Sequence, residues 1–257
     1  MNITYNDVIN YWKKLNINSK EVLEQTLDNF RILFAYNSGV IENEEITYHN
    51  TREIFENGKV INFTGNLKTL FEISNQKDCY DYLLDKIINK EQLSENLVKH
   101  IHKTLTKGTY DERRYIKNEE RPGEYKKHDY VTGILEVGST PDKIEEDIKS
   151  LIDEVNSIRS NNPETIIKVA VYFHNVFENI HPFADGNGRV GRTLLNYILM
   201  INDLPPLIIY DEDKEAYYKK ALEKYDKEED INIMIEFIKY EMVKTWSKKI
   251  EKEGIKW

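Results

Sequence analysis

Turn-forming residues are scarce. The 257 residues include only 11 Gly and 6 Pro, well below ordinary usage of roughly 7% and 5%. An all-β sandwich or barrel needs many more turns, and collagen-like or low-complexity chains need far more of both residues, so those classes are excluded. The single cysteine, Cys79, cannot form an internal disulfide, which leads to the expectation of a cytoplasmic protein. Long apolar runs are also missing. Stretches such as Val169 to Phe173 fall far short of the ~18 residues that span a bilayer, and Met1 to Asp7 has no basic segment leading into an apolar core, so no secretory signal is expected. Basic charge is in deficit: 36 Lys and Arg against 45 Asp and Glu give a net charge of −9. That balance argues against nucleic acid or an anionic membrane as a general partner. What the chain has is 40% hydrophobic and 11% aromatic content, too much for a disordered protein. A mostly helical globular protein is the expectation.

Apolar spacing predicts helices over residues 5–15, from Ser19 with Glu21 in the capping-box place and Leu23, Leu27, Phe30 and Phe34 on one stripe, and over residues 48–56 before Asn57-Gly58. Asn37-Ser38-Gly39 reads as an interruption. Further helices are expected over residues 67–74, 80–88, 91–105, 141–157, 163–180, 190–201, 213–225 and 231–251. The helix from Pro163, capped by Asn162, is apolar nearly all round, as the buried centre of a bundle would be. Residues 130–138 give the one β signal, a short hairpin. No internal repeat or linker interrupts the chain, so one domain over residues 1–257 is expected: amino-terminal helices over 1–58, a core over 59–203, and carboxyl-terminal helices over 204–257.

Chemistry concentrates in His181-Pro182-Phe183-Ala184-Asp185-Gly186-Asn187-Gly188-Arg189-Val190-Gly191-Arg192. Gly186 and Gly188 let an anion approach backbone N–H groups at a helix start. Arg189 and Arg192, three apart, can face the same anion, which suits a polyphosphate. Asp185 offers a hard oxygen for Mg²⁺ beside a nucleotide's phosphates. His181 is the group that can take a proton near neutral pH, a general base. No Walker-type glycine loop or kinase catalytic loop accounts for such a site.

Residues 181–192 resemble, position for position, the H-P-F-x-[DE]-G-N-G-R-x-x-R signature of the Fic (Fido) family of nucleotidyl transferases. The resemblance extends over most of the chain. Pro122-Gly123-Glu124-Tyr125-Lys126 is similar to the approach to the family's flap, with Lys126 in place of the usual Arg. The hairpin then falls where the flap pairs with a target polypeptide, which would place Val131, Thr132, Gly133, Ile134 and Leu135 at target docking. Leu204-Pro205-Pro206 and residues 217–222 also resemble the family.

The resemblance implies an all-α, Fic-type helical bundle with a small β-hairpin flap about residues 122–139. It implies transfer of AMP from ATP to a Ser, Thr or Tyr hydroxyl of a protein, with room for self-modification and for a homo-oligomer. His181 would be the base, Asp185 the Mg²⁺ ligand, and Gly186, Asn187, Gly188, Arg189 and Arg192 the phosphate binders. An intact Gly188 favours AMP transfer over the family's kinase variant. Ser38-Gly39-Val40-Ile41-Glu42-Asn43 matches the family's inhibitory pattern [ST]-x-x-x-E-[GN]. Lying before the catalytic motif, it resembles the subclass with an amino-terminal inhibitory helix (class II), in which Ser38, Glu42 and Asn43 form the brake and Glu42 pairs with Arg192 as a bidentate phosphate mimic. The rivals are transfer of another nucleotide moiety, removal of AMP, and a non-catalytic ATP-binding regulatory module. His174, His102, Cys79, Tyr217 and Tyr218 are expected to pack rather than react.

Overall fold

The computed structural model describes residues 3–130 and 138–254. Its helices follow in order as α1 (Tyr5–Lys14), α2 (Lys20–Val40), α3 (Tyr48–Asn57), α4 (Leu67–Ile88), α5 (Glu95–Thr106), α6 (Ile144–Ser157), α7 (Pro163–Ile180), α8 (Asn187–Ile201), α9 (Lys219–Glu228) and α10 (Asn232–Lys252). Single π turns over Arg113–Lys117 and Lys214–Tyr218, and a 3₁₀ turn over Asp211–Asp213, break the loops. Among the described residues there is no strand. The expected hairpin residues Val131, Thr132, Gly133, Ile134 and Leu135 lie outside the described residues. No helix among the described residues is long and apolar enough to cross a membrane.

Local chemistry explains most boundaries. Thr4 and Asp7 form a reciprocal capping box on α1, Asn162 caps α7 with Pro163 behind it, and Gly58 ends α3 in the left-handed region at φ 70°. On α2 the Ser19 hydroxyl accepts from Val22 N–H. Val22 is therefore the third helical residue, and Glu21 falls one position short of the capping-box place.

Two expectations are corrected. Helix α2 runs straight through Asn37-Ser38-Gly39, because Asn37 Nδ2 donates to Leu33 O at 2.9 Å within the helix and all three residues are buried. The expected pair over 67–74 and 80–88 is one continuous helix, α4; in its polar middle Asn75 and Gln76 are buried, and Asn75 Nδ2 donates to Leu105 O in the last turn of α5 and to Lys107 O beyond it.

Helix α7 is the centre. Ile167, Ala170, Val171, Phe173 and Phe177 are fully buried in a core cluster that also takes side chains from α1, α2, α4, α5, α6, α8 and α10. A smaller cluster, Ile32, Ala35, Ile46, Ile54, Phe55 and Ile73, seals α3 and the loop after α2 onto α4. At the other end Trp12 meets Trp246 edge-on at 5.2 Å, tying α1 to α10. Helices α7 and α8, joined by residues 181–186, thus have their junction held from several sides.

Candidate active site

The junction is built by two left-handed residues. His181 terminates α7 at φ 51° while its N–H still bonds Phe177 O, and Gly186 at φ 83° opens α8. Asn187 differs from its expected role as a phosphate binder through its side chain. Its Oδ1 accepts from Phe183 N–H at 2.9 Å and its Nδ2 donates to Phe183 O at 2.7 Å, so the buried amide fastens the loop and leaves the backbone N–H for an anion.

Beneath the loop lies His102 of α5, fully buried and stacked on Phe183 at 3.7 Å. Gly123 N–H donates to its Nδ1 at 2.8 Å; Nε2 therefore carries the hydrogen, which it donates to Asp185 O at 3.0 Å. Burial, reinforced by the charge of Arg189, pushes this imidazole down to about 3 despite the carbonyl's opposing pull. The neutral ring joins α5, the Gly123 turn and the motif loop.

The expected site residues come together here. Asp185 Oδ1 accepts from Gly186 N–H at 2.8 Å, lies 3.8 Å from Arg189 Nη2, and its Oδ2 lies 3.9 Å from Arg114 Nη1. Arg189 is buried and donates through Nη1 to Glu72 Oε1 at 3.2 Å. Arg192, also buried, donates Nε–H to Ser38 Oγ at 3.0 Å and Nη2–H to Ser38 O at 2.9 Å and to Glu42 Oε1 at 2.8 Å. The contact with Glu42 is thus single-pronged rather than bidentate, with Ser38 on Nε and on the second Nη2 hydrogen. Partial burial would push the Glu42 carboxyl up, but Arg192, with help from Arg189 and Lys214, holds it below the usual range. Gly188 faces the same spot: a Cβ there would overlap Glu42 Oε1 and lie 2.9 Å from Arg192 Nη1.

His181 is held well below its ordinary value, at about 4, first by burial and next by the ammonium of Lys126. Lys126, the departure from the resemblance, is itself buried, and its N–H donates to Pro182 O at 2.9 Å. A neutral imidazole at physiological pH is a proton acceptor. His174 donates or accepts through Nε2 with Tyr218 OH at 2.8 Å inside the core, as packing residues do, whereas Tyr217, though stacked on Phe237, is more than half exposed. Cys79 is buried and its thiol pushed up to about 12.

A cavity of about 290 Å³ opens beside Asp185 and Arg189, lined also by Glu42, Asn43 and Glu72. Among the described residues no group of three or more His, Cys, Asp or Glu side chains gathers as a metal site. One carboxylate is nevertheless a suitable donor set for Mg²⁺ that arrives on nucleotide phosphates, which supply most of its oxygens; Asp185 is partly exposed for that role. Sequence reasoning passed over Glu72, Lys214, whose Nζ donates to Ile41 O, and Arg114. Each comes from a distant element with no motif around it.

The sequence and the fold have known counterparts. The family described as Fic/DOC matches residues 92–199. A probable protein adenylyltransferase of Aquifex aeolicus is 31% identical over 154 residues, 60% of this chain and 42% of the relative. A Fido domain-containing protein of Dictyostelium discoideum is 33% identical over 97 residues, 38% of this chain and 67% of the relative. The chain thus spans less than half the length of the Aquifex adenylyltransferase. A Fic domain containing signaling protein of Bacteroides thetaiotaomicron has the same fold, with TM-score 0.81 and 24% identity over 96% of this chain and 95% of that one. Fic-1 of Caenorhabditis elegans gives 0.77 and 20% over 97% and 72%. With the signature intact, the helices in place and a relative matched over two thirds of its length, the chain belongs to the Fic/DOC family.

Proposed function

We propose that this chain is a protein adenylyltransferase that moves AMP from ATP onto a Ser, Thr or Tyr hydroxyl of a target protein or of itself, and that its own Glu42 restrains it. One observation carries the reading: a neutral His181 stands beside a glycine-opened helix start with two buried arginines, Arg189 and Arg192. A proton acceptor next to an anion cradle suits nucleophilic attack on a phosphate. The adenylyltransferase names of several relatives support the same reaction.

In the proposed step the target oxygen forms a bond to the α-phosphorus as its proton passes to His181, and the bond to pyrophosphate breaks. The N–H groups at Asn187 and Gly188 and the guanidinium groups of Arg189 and Arg192 hold the phosphates in line, while Gly186, its N–H on Asp185 Oδ1, leaves room for them at the helix start. Asp185 would hold Mg²⁺ with those phosphates, where the bound ion neutralises their charge. Val131, Thr132, Gly133, Ile134 and Leu135 would dock the target strand. Glu42 on Arg192 takes a place that a phosphate needs, as in the subclass with an amino-terminal inhibitory helix.

The test supplies Mg²⁺ and ATP labelled at the α- or γ-phosphate to wild type, E42A and H181A. Label reaches protein from the α position only, at least tenfold more with E42A, and not at all with H181A. Label from the γ position would instead establish a kinase, and equal labelling by wild type and E42A would remove the brake.

A further inference from the structure

Glu72 lies on α4, outside both residues 181–192 and residues 38–43, yet it is buried and touches both. Its Oε1 accepts from Arg189 Nη1 at 3.2 Å and lies 3.6 Å from Lys68 Nζ. Its Oε2 accepts from Asn43 Nδ2 at 2.7 Å. Asn43 spends its own Oδ1 on Glu45 N–H at 3.0 Å, closing the turn that presents Glu42. The two oxygens of one carboxylate therefore serve two different parts of the site. Breaking a buried charge pair from one side is costly, because the remaining charge is stranded.

We propose that Glu72 is a positioning residue that aims Arg189 at the nucleotide and latches the Glu42 turn to that arginine through Asn43. The inference rests on the adenylyltransferase reading for its consequence, and on the contacts above for its geometry. A phosphate that draws Arg189 toward itself removes the nearer of the two charges on Glu72, leaving Lys68, so nucleotide binding at Arg189 loosens the turn that carries Glu42. Glutamine at this position separates the roles: it has one acceptor oxygen where the carboxylate has two, and can satisfy Arg189 or Asn43 but not both.

Hydrogen exchange tests the latch without any assay of transfer. The amides of Glu42 and Asn43 bond Gly39 O and that of Ile46 bonds Asn43 O. In both E72Q and N43A these amides are expected to exchange at least tenfold faster than in wild type, with amides of α7 and α8 unchanged. Calorimetry with ADP reads the other end. In an E42A background, E72Q, which takes from Arg189 its carboxylate partner, weakens ADP binding three- to tenfold. Unchanged exchange in residues 42–46 overturns the proposal. So does acceleration that spreads equally through α7 and α8, because Glu72 would then only stabilise the fold, and so does an ADP affinity that E72Q leaves within twofold. If E42A transfers no α-label, the adenylyltransferase reading fails by itself, and exchange and ADP binding still decide the latch.

Discussion

Lys126 shows how one side chain outside the motif sets the chemistry of a residue inside it. Burial depresses the His181 imidazole, and the Lys126 ammonium depresses it further, to about 4. A base must be unprotonated to work, so the acid limb of kcat/KM for AMP transfer, measured with E42A, is expected well below the ordinary histidine value of 6.5. Exchanging Lys126 for Met removes the second cause and leaves the first. His181 then binds a proton more readily, and the limb moves up toward 6.5 without reaching it. A pH profile of K126M/E42A that superimposes on that of E42A would show that the ammonium does not act on His181. The same residue marks the limit of motif reading. An arginine replaced by lysine looks like a weakened contact, whereas the buried lysine has a definite electrostatic effect.

At the scale of elements, α5 governs the α7–α8 junction through His102. Replacing His102 by Ala deletes the stack on Phe183 and the bonds to Gly123 N–H and Asp185 O, leaving buried polar groups unpaired. A cost of about 2–4 kcal/mol is expected, from roughly 1–3 kcal/mol for a stranded buried partner plus the lost ring contact. Denaturant midpoints measure it; a loss under about 0.5 kcal/mol, the scale of a surface substitution, would mean that the loop holds itself. This element also shows what was legible in the sequence. Residues 181–192 could be read because their chemistry is contiguous and its helix signals agree with it. Most helices were legible from apolar spacing and caps such as Asn162. The continuity of α2 and α4 was not, because Asn37, Ser38 and Asn75 are turn-type residues whose polar groups find partners inside the fold. Glu72 and His102 had no local signal at all: a lone carboxylate or imidazole on a helix becomes part of a site only when another element is packed against it.

For the whole molecule, the buried titratable groups predict a stability maximum near neutral pH. Burial drives His102 and His174 to about 3 and His181 to about 4, each from 6.5. Unfolding lets all three bind protons below 6.5, so they remove stability as pH falls. Two carboxyls act in the opposite sense. Burial raises Glu178 to about 7, and burial together with the Asp213 carboxyl raises Glu241 to about 9, both from 4.5. These hold protons in the folded state that the unfolded chain has released, so they add stability as pH falls from 9 toward 4.5. Above pH 7 only Glu241 is titrating in the folded state, and stability rises toward neutrality by up to about 1.4 kcal/mol per pH unit. Between 6.5 and 4.5 three histidines outweigh two carboxyls by one proton, and stability falls by a similar slope. Below 4.5 the carboxyls are protonated in both states and cease to compensate, so the decline steepens. Denaturant unfolding at pH 5, 7 and 9 should therefore place the maximum at pH 7. E241Q, whose amide carries no charge in either state, should flatten the side above 7 and leave the acid side in place. Stability that keeps increasing from pH 7 to 9 in wild type would show that Glu241 is ionised in the folded protein, held so by the ammonium of Lys244, which pairs with Asp213 and opposes the effect of burial on Glu241.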